Sequence, residues 1–136
     1  MNQNKQADGY NVIVAGAGMV GACAALSFAR KGFRVALIEP SPAIKKAGSA
    51  DIAADAVYDT RLSAISPTSQ KLLSDLGVWS AIDKNRVCDY EKMFVWHANG
   101  NAAVDFDCAQ VASQSLGAIV ENNQILAAVH KACQAE

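Results

Sequence analysis

Apolar residues first gather at 11–15, "NVIVA", a short β-branched run without alternation. Such a run predicts a strand buried on both faces. Residues 19–31 follow, rich in Ala and other small side chains, and read as a helix. Gly32 comes after Arg30 and Lys31, which suits a helix stop with cations in the last turn. "RVALIE", 34–39, repeats the buried-strand pattern. Strand, helix and strand within about 30 residues predict a βαβ unit with parallel strands.

The pattern then lapses. Residues 40–60 are small, polar and weakly periodic, and a connection of about 20 residues in a folded domain is usually functional. Periodicity returns in "SPTSQKLLSDLG", where Ser66 is placed as N-cap, Pro67 as the first helical residue and Gly77 as the stop. Leu72, Leu73 and Leu76 are expected on one buried face, continued by Trp79 and Ile82. "KMFVWHANGNAAVDFD" holds two strand-like runs around Asn99-Gly100, a hairpin signal. The last segment predicts a helix capped by Asn122, with Ile125, Leu126, Val129 and Cys133 as its buried stripe.

Composition narrows the class without naming a function. The residues are 51% hydrophobic and 18% charged, and the net charge is −1. This is a folding composition with no basic patch, which argues against nucleic acid as a partner. A chain of this length buries about 68% of its unfolded surface. The polar start "MNQNKQADGY" lacks the apolar core of a signal peptide, and no stretch reaches the length of a membrane span. The expected location is cytoplasmic, with peripheral contact at the inner membrane left open. Cys23, Cys88, Cys108 and Cys133 form no CxxC pair and have no His at metal-ligand spacing. They are read as small buried hydrophobes in a reducing compartment. No metal site is expected, and His97 and His130 are read as non-catalytic.

The candidate chemistry lies in "GAGMVG", 16–21. Gly16 permits a tight turn out of the strand, Gly18 lets a pyrophosphate approach the backbone, and Gly21 lets helix and sheet pack closely. Ala25, one turn later, keeps the same face small. The helix start offers unpaired N–H groups to an anion. Glu39 ends the next strand, where a carboxylate can accept from a ribose diol and would repel a phosphorylated one. A dinucleotide is therefore expected, and NADP is disfavoured at this position. These residues do not separate NAD from FAD.

Later segments do. "YDTRLSAISPTSQKLLSDLGVW", "MFVWHANGNAAVDFD" and "LGAIVENNQIL" resemble, in this order, segments of the aromatic-ring flavin monooxygenases, and within them the ubiquinone-biosynthesis hydroxylases. The resemblance runs from about residue 10 to 133. It implies an α/β Rossmann-like FAD-binding fold of glutathione-reductase type, with a parallel sheet, helices and the start of an inserted substrate-domain β-hairpin. It also implies FAD as cofactor and NAD(P)H as reductant. O2 and a polyprenylated phenol or benzoquinol would be the co-substrates, one oxygen atom entering the ring. Gly16, Gly18, Gly21 and the N–H groups of Met19 and Val20 would face the FAD pyrophosphate, and Glu39 the adenosine ribose. Arg61 would reach the cofactor phosphates; a surface ion pair with Asp59 is the alternative. Asn122 would contact the cofactor, and this is compatible with its serving as a helix cap.

The same resemblance divides the chain into a disordered tail at 1–9, an FAD-binding βαβ region at 10–87, the start of a substrate-domain sheet at 88–118 and a returning helix at 119–136. Trp96 and Phe106 are expected in the core of that sheet. Members of the group are about three times longer and carry a Gly-Asp segment that this sequence lacks. The expectation is an N-terminal portion that is inactive alone and prone to self-association. No catalytic residue is assigned. Association with a biosynthetic complex stays open, as does a different reading, an NAD(H)- or FAD-binding module without hydroxylase chemistry.

Overall fold

The structure, a computed structural model, describes residues 9–41 and 58–136. Most of the expected tail at 1–9 and of the loop at 40–60 lies outside the described residues. Strand β1 (Val12–Ala15) leads through the glycine loop into helix α1 (Met19–Ala29), and β2 (Val35–Ile38) returns beside β1. The two strands pair in parallel, from Val12 opposite Val35 to Ala15 opposite Ile38. This is the βαβ unit that the apolar runs predict. Gly32, with φ +84°, makes the turn between α1 and β2, as expected of a glycine stop. The helix itself ends at Ala29, so Arg30 and Lys31 lie just beyond its last turn.

After the undescribed segment come β3 (Leu62–Ile65), helix α2 (Pro67–Asp75), β4 (Val87–Tyr90), β5 (Lys92–Trp96), β6 (Ala103–Asp107), β7 (Gly117–Glu121) and helix α3 (Asn122–Gln134). Strand β7 runs antiparallel between β3 and β4. Helix α2 begins as read: the Ser69 N–H donates to the Ser66 hydroxyl at 3.3 Å, and Pro67 opens the first turn. Gly77 follows the helix with φ +62°.

The core forms where α1, α2, α3 and β7 meet. Leu26, Leu73, Val78, Val120, Ile125 and Val129 carry much of it. Helix α1 can come this close because its inner face is Ala22, Ala25 and Leu26, all buried. Leu73, Leu76 and Ile82 are buried as expected, and Trp79 packs against the same core. Leu72 departs from the expectation at 50% exposure. It stands about 100° around the helix from Leu73, on the side of α2 that the core does not cover.

Strands β5 and β6 form a separate antiparallel hairpin, from Lys92 opposite Asp107 to Trp96 opposite Ala103. Asn99-Gly100 sits in its loop as expected, but the loop runs over 97–102 and is closed by the His97 N–H donating to the Ala102 carbonyl at 3.0 Å. The core placement of Trp96 and Phe106 is corrected: both are exposed, with Phe94 and Val104. A two-stranded ribbon has no second layer, so its apolar side chains find no cover within the described residues.

Candidate functional site

The site begins in the turn from β1 to α1. Gly16 has φ +97°, a region that L side chains rarely adopt. A Cβ on Gly21 would stand 1.9 Å from the Gly16 carbonyl oxygen, so the close approach of strand and helix requires glycine there. Gly18 differs from both: a Cβ on it would meet nothing within 4 Å. Its missing side chain leaves open space at the helix start. Gly18 is the N-cap of α1 without a side-chain cap bond, and the Ala22 N–H donates to the Gly18 carbonyl at 2.9 Å. The amides of Met19, Val20 and Gly21 therefore have no acceptor within the helix. Open space, orphan donors and the positive helix end together suit an anionic group. The Val20 side chain, largely exposed, has no part in this.

Glu39 closes over the same loop. Its Oε2 accepts from the Ala17 N–H at 2.8 Å, and its Oε1 accepts from the Ser41 N–H at 2.8 Å. These two backbone donors, the Ala17 amide foremost, hold its carboxyl below the usual carboxylate range, aided by nearby His130. Each oxygen keeps a further lone pair for another donor. On the other side of the loop, the His130 Nε2 lies 2.6 Å from the Ala17 carbonyl oxygen. His130 belongs to α3 and is buried.

Arg61 and Asn122 form a second group. The Asn122 N–H donates to the Arg61 carbonyl at 2.9 Å, where β3 runs alongside β7. The Arg61 N–H donates to Asp59 Oδ1 at 3.0 Å. That backbone contact replaces the expected alternative of a side-chain ion pair, and the Arg61 residue is exposed. Asn122 does not cap α3; it is the first helical residue, after Glu121 at the N-cap. Its Oδ1 accepts instead from the Ser63 hydroxyl at 2.5 Å, which leaves its amide N–H groups as the free donors. The two groups share helix α3: Asn122 opens it, and His130 lies about 12 Å further along its axis at 1.5 Å per residue.

Sequence reasoning missed what anchors this second group. Arg86 Nη1 meets Glu121 Oε1 at 2.9 Å, with both side chains all but excluded from solvent. Glu121 Oε2 also accepts from the Asp59 N–H at 2.5 Å, and the Arg86 guanidinium lies 4.2 Å from the centre of the Tyr58 ring. The pair thus fixes the chain on the approach to Arg61. A carboxylate closing the apolar run "GAIVE" was the available signal, since buried charge demands a partner. His130 was legible only as a polar residue four positions after Leu126, on the apolar side of its helix.

The cysteines divide. Cys108 is buried, and Cys23 and Cys133 are half-buried, with burial pushing both thiols up. Cys88 is exposed, against expectation, because it lies on the outer side of β4 at the edge of its sheet. Among the described residues no three His, Cys, Asp or Glu side chains gather as a metal site. No described helix is long and apolar enough to cross a membrane.

A family model described as FAD dependent oxidoreductase matches residues 11–133. The chain is 38% identical over 124 residues to 3-demethoxyubiquinol 3-hydroxylase of Escherichia coli (strain K12), covering 91% of this chain and 30% of that protein. It is 36% identical over 129 residues to the mitochondrial ubiquinone biosynthesis monooxygenase COQ6 of Danio rerio, covering 92% of this chain and 25% of the relative. For the Homo sapiens protein of the same name the identity is 33% over 128 residues, with 93% and 26% covered. The chain therefore spans between a quarter and a third of the length of these relatives.

Proposed function

The chain belongs to the FAD dependent oxidoreductase family, and from that premise we propose that it forms the FAD-binding part of a flavin-dependent aromatic hydroxylase of ubiquinone biosynthesis. The relatives' names, a demethoxyubiquinol hydroxylase and a ubiquinone biosynthesis monooxygenase, support this reaction class, and the substrate in this reading is a polyprenylated phenol or benzoquinol. The Rossmann-like unit is of glutathione-reductase type in this reading. Bound FAD, reduced by NAD(P)H, supplies the activation of O2 from which one oxygen enters the ring.

The residues divide the binding. The amides of Met19, Val20 and Gly21 hold the pyrophosphate over Gly18, with Gly16 shaping the turn. Glu39, ionised and held by two N–H groups, accepts from the adenosine ribose through its remaining lone pairs. Arg61 offers a forked, permanently charged donor set to the phosphates, and Asn122 offers its amide N–H groups. No side chain here is assigned to catalysis. Residues 10–87 make the cofactor region, the hairpin within 88–118 starts the substrate-covering sheet, and 119–136 returns to the cofactor. In this reading the protein acts in the cytoplasm, and peripheral contact with the inner membrane is compatible with a lipid-tailed substrate.

The observation that carries the reading is the open, donor-lined space at Gly18 beside an ionised Glu39. Adding FAD, NADH and NADPH separately while following thermal unfolding tests it. FAD is expected to raise the midpoint most. Stabilisation by NADH without any by FAD would favour a nicotinamide-binding module lacking hydroxylase chemistry.

A further inference from the structure

We propose that His130 is a positioning residue for the cofactor loop, aiming the Gly18 amide through the Ala17 carbonyl. The inference rests on the flavin reading above for its ligand and on the geometry for its mechanism. The His130 Nε2 sits 2.6 Å from the Ala17 oxygen, and both residues are buried. A carbonyl only accepts, so Nε2 carries the proton and donates. The peptide between Ala17 and Gly18 is planar and trans, so its C=O and N–H point in opposite directions. Holding the oxygen toward α3 directs the Gly18 N–H away from α3.

The preceding peptide is held in the same manner. The Ala17 N–H is bound by Glu39 at 2.8 Å, which turns the Gly16 carbonyl the other way, toward Gly21. Two consecutive peptides are thus each oriented by one distant side chain. Glycine flanks Ala17 on both sides, and glycine backbone is the freest in the chain, so nothing local would hold these planes. The Ala17 amide, occupied by Glu39, is not a donor to the cofactor. The donors that remain are the ones His130 and α1 orient. Helix α3 also begins with Asn122 at the second group, so one rigid element sets both.

The test uses His130→Gln, which keeps an N–H donor, and His130→Phe, which keeps a planar ring without one. Amide hydrogen exchange of residues 17–19 is measured in the full chain without cofactor, and FAD affinity by titration. His130→Phe is expected to speed exchange at Ala17, whose N–H is held by Glu39 in the loop that His130 fixes, and to weaken FAD binding about tenfold, the scale of one buried hydrogen bond. His130→Gln is expected to stay within about threefold of wild type on both. Equal losses in the two variants, or no loss in His130→Phe, would overturn the inference. So would nitrogen NMR of the wild type placing the imidazole proton on Nδ1 alone, a measurement independent of whether either variant folds. Gly18→Val separates the two levels. FAD binding lost there but unchanged in His130→Phe condemns His130 alone, whereas binding unaffected by Gly18→Val condemns the flavin site itself.

Discussion

At the scale of single residues, the site depends on where backbone donors are spent. Ala17 gives its N–H to Glu39 and its carbonyl to His130, while Met19, Val20 and Gly21 keep theirs. Glu39 holds the loop and still has capacity to accept from a ligand. This double use predicts a pH response. Its carboxyl is depressed by the Ala17 amide first, then by Ser41 and by His130. A depressed carboxyl stabilises the fold above its unfolded pKa, about 4.3, and loses that contribution as pH falls through the lower folded value. The thermal midpoint of wild type should therefore exceed that of Glu39→Gln at pH 6, and the gap should shrink below about pH 4. A gap that is constant from pH 7 to 3 would contradict the role. The turn at Gly16 and the close helix–strand approach at Gly21 were legible in the sequence, because each is local. The partners of Ala17 were not, since one of them lies 113 residues away.

At the scale of elements, the legible parts were those with local causes. β-branched runs became β1 and β2, and Ser66, Pro67 and Gly77 bounded α2. Expectations failed where tertiary contacts decide. Leu72 lies exposed beside the buried Leu73, and Asn122, one residue past the N-cap Glu121, uses its side chain to accept from Ser63. Glu121 ties three segments: β7, the Arg86 turn before β4, and the chain entering β3 through Asp59. Breaking a buried ion pair by removing one member costs about 3–5 kcal/mol. Glu121→Ala should lose stability on that scale in denaturant unfolding. A loss below about 1 kcal/mol, the worth of a surface pair, would show that the pair is not buried in solution.

At the scale of the whole molecule, apolar side chains stand exposed on the β1–β2 pair and on the hairpin among the described residues. Ile13 and Ile38 face outward from the β1–β2 pair, and the hairpin exposes Phe94 and Trp96, whose rings stack with centroids 5.8 Å apart. Clustered exposed apolar groups mark surfaces that pair with other protein. The sequence placed Trp96 and Phe106 of this hairpin in a core, and the alternation of Val104 and Phe106 with Asp105 and Asp107 is that of a half-buried strand. Alternation reports which face a strand would bury, without reporting what covers it. The 136-residue chain should self-associate through this surface, and Phe94→Ser with Trp96→Ser should reduce the associated fraction in sedimentation velocity. Identical sedimentation of variant and wild type would place the association elsewhere.

In the proposed function, the glycine loop with Glu39 and the Arg61–Asn122 group form one FAD site, joined by helix α3. Titration of FAD against wild type, Glu39→Ala and Arg61→Ala tests it most directly, followed by the quenching of flavin fluorescence. Saturable binding to wild type, weakened about tenfold or more by each substitution, is predicted, since each removes a charged hydrogen-bonding group. FAD affinity left unchanged by both substitutions would contradict it.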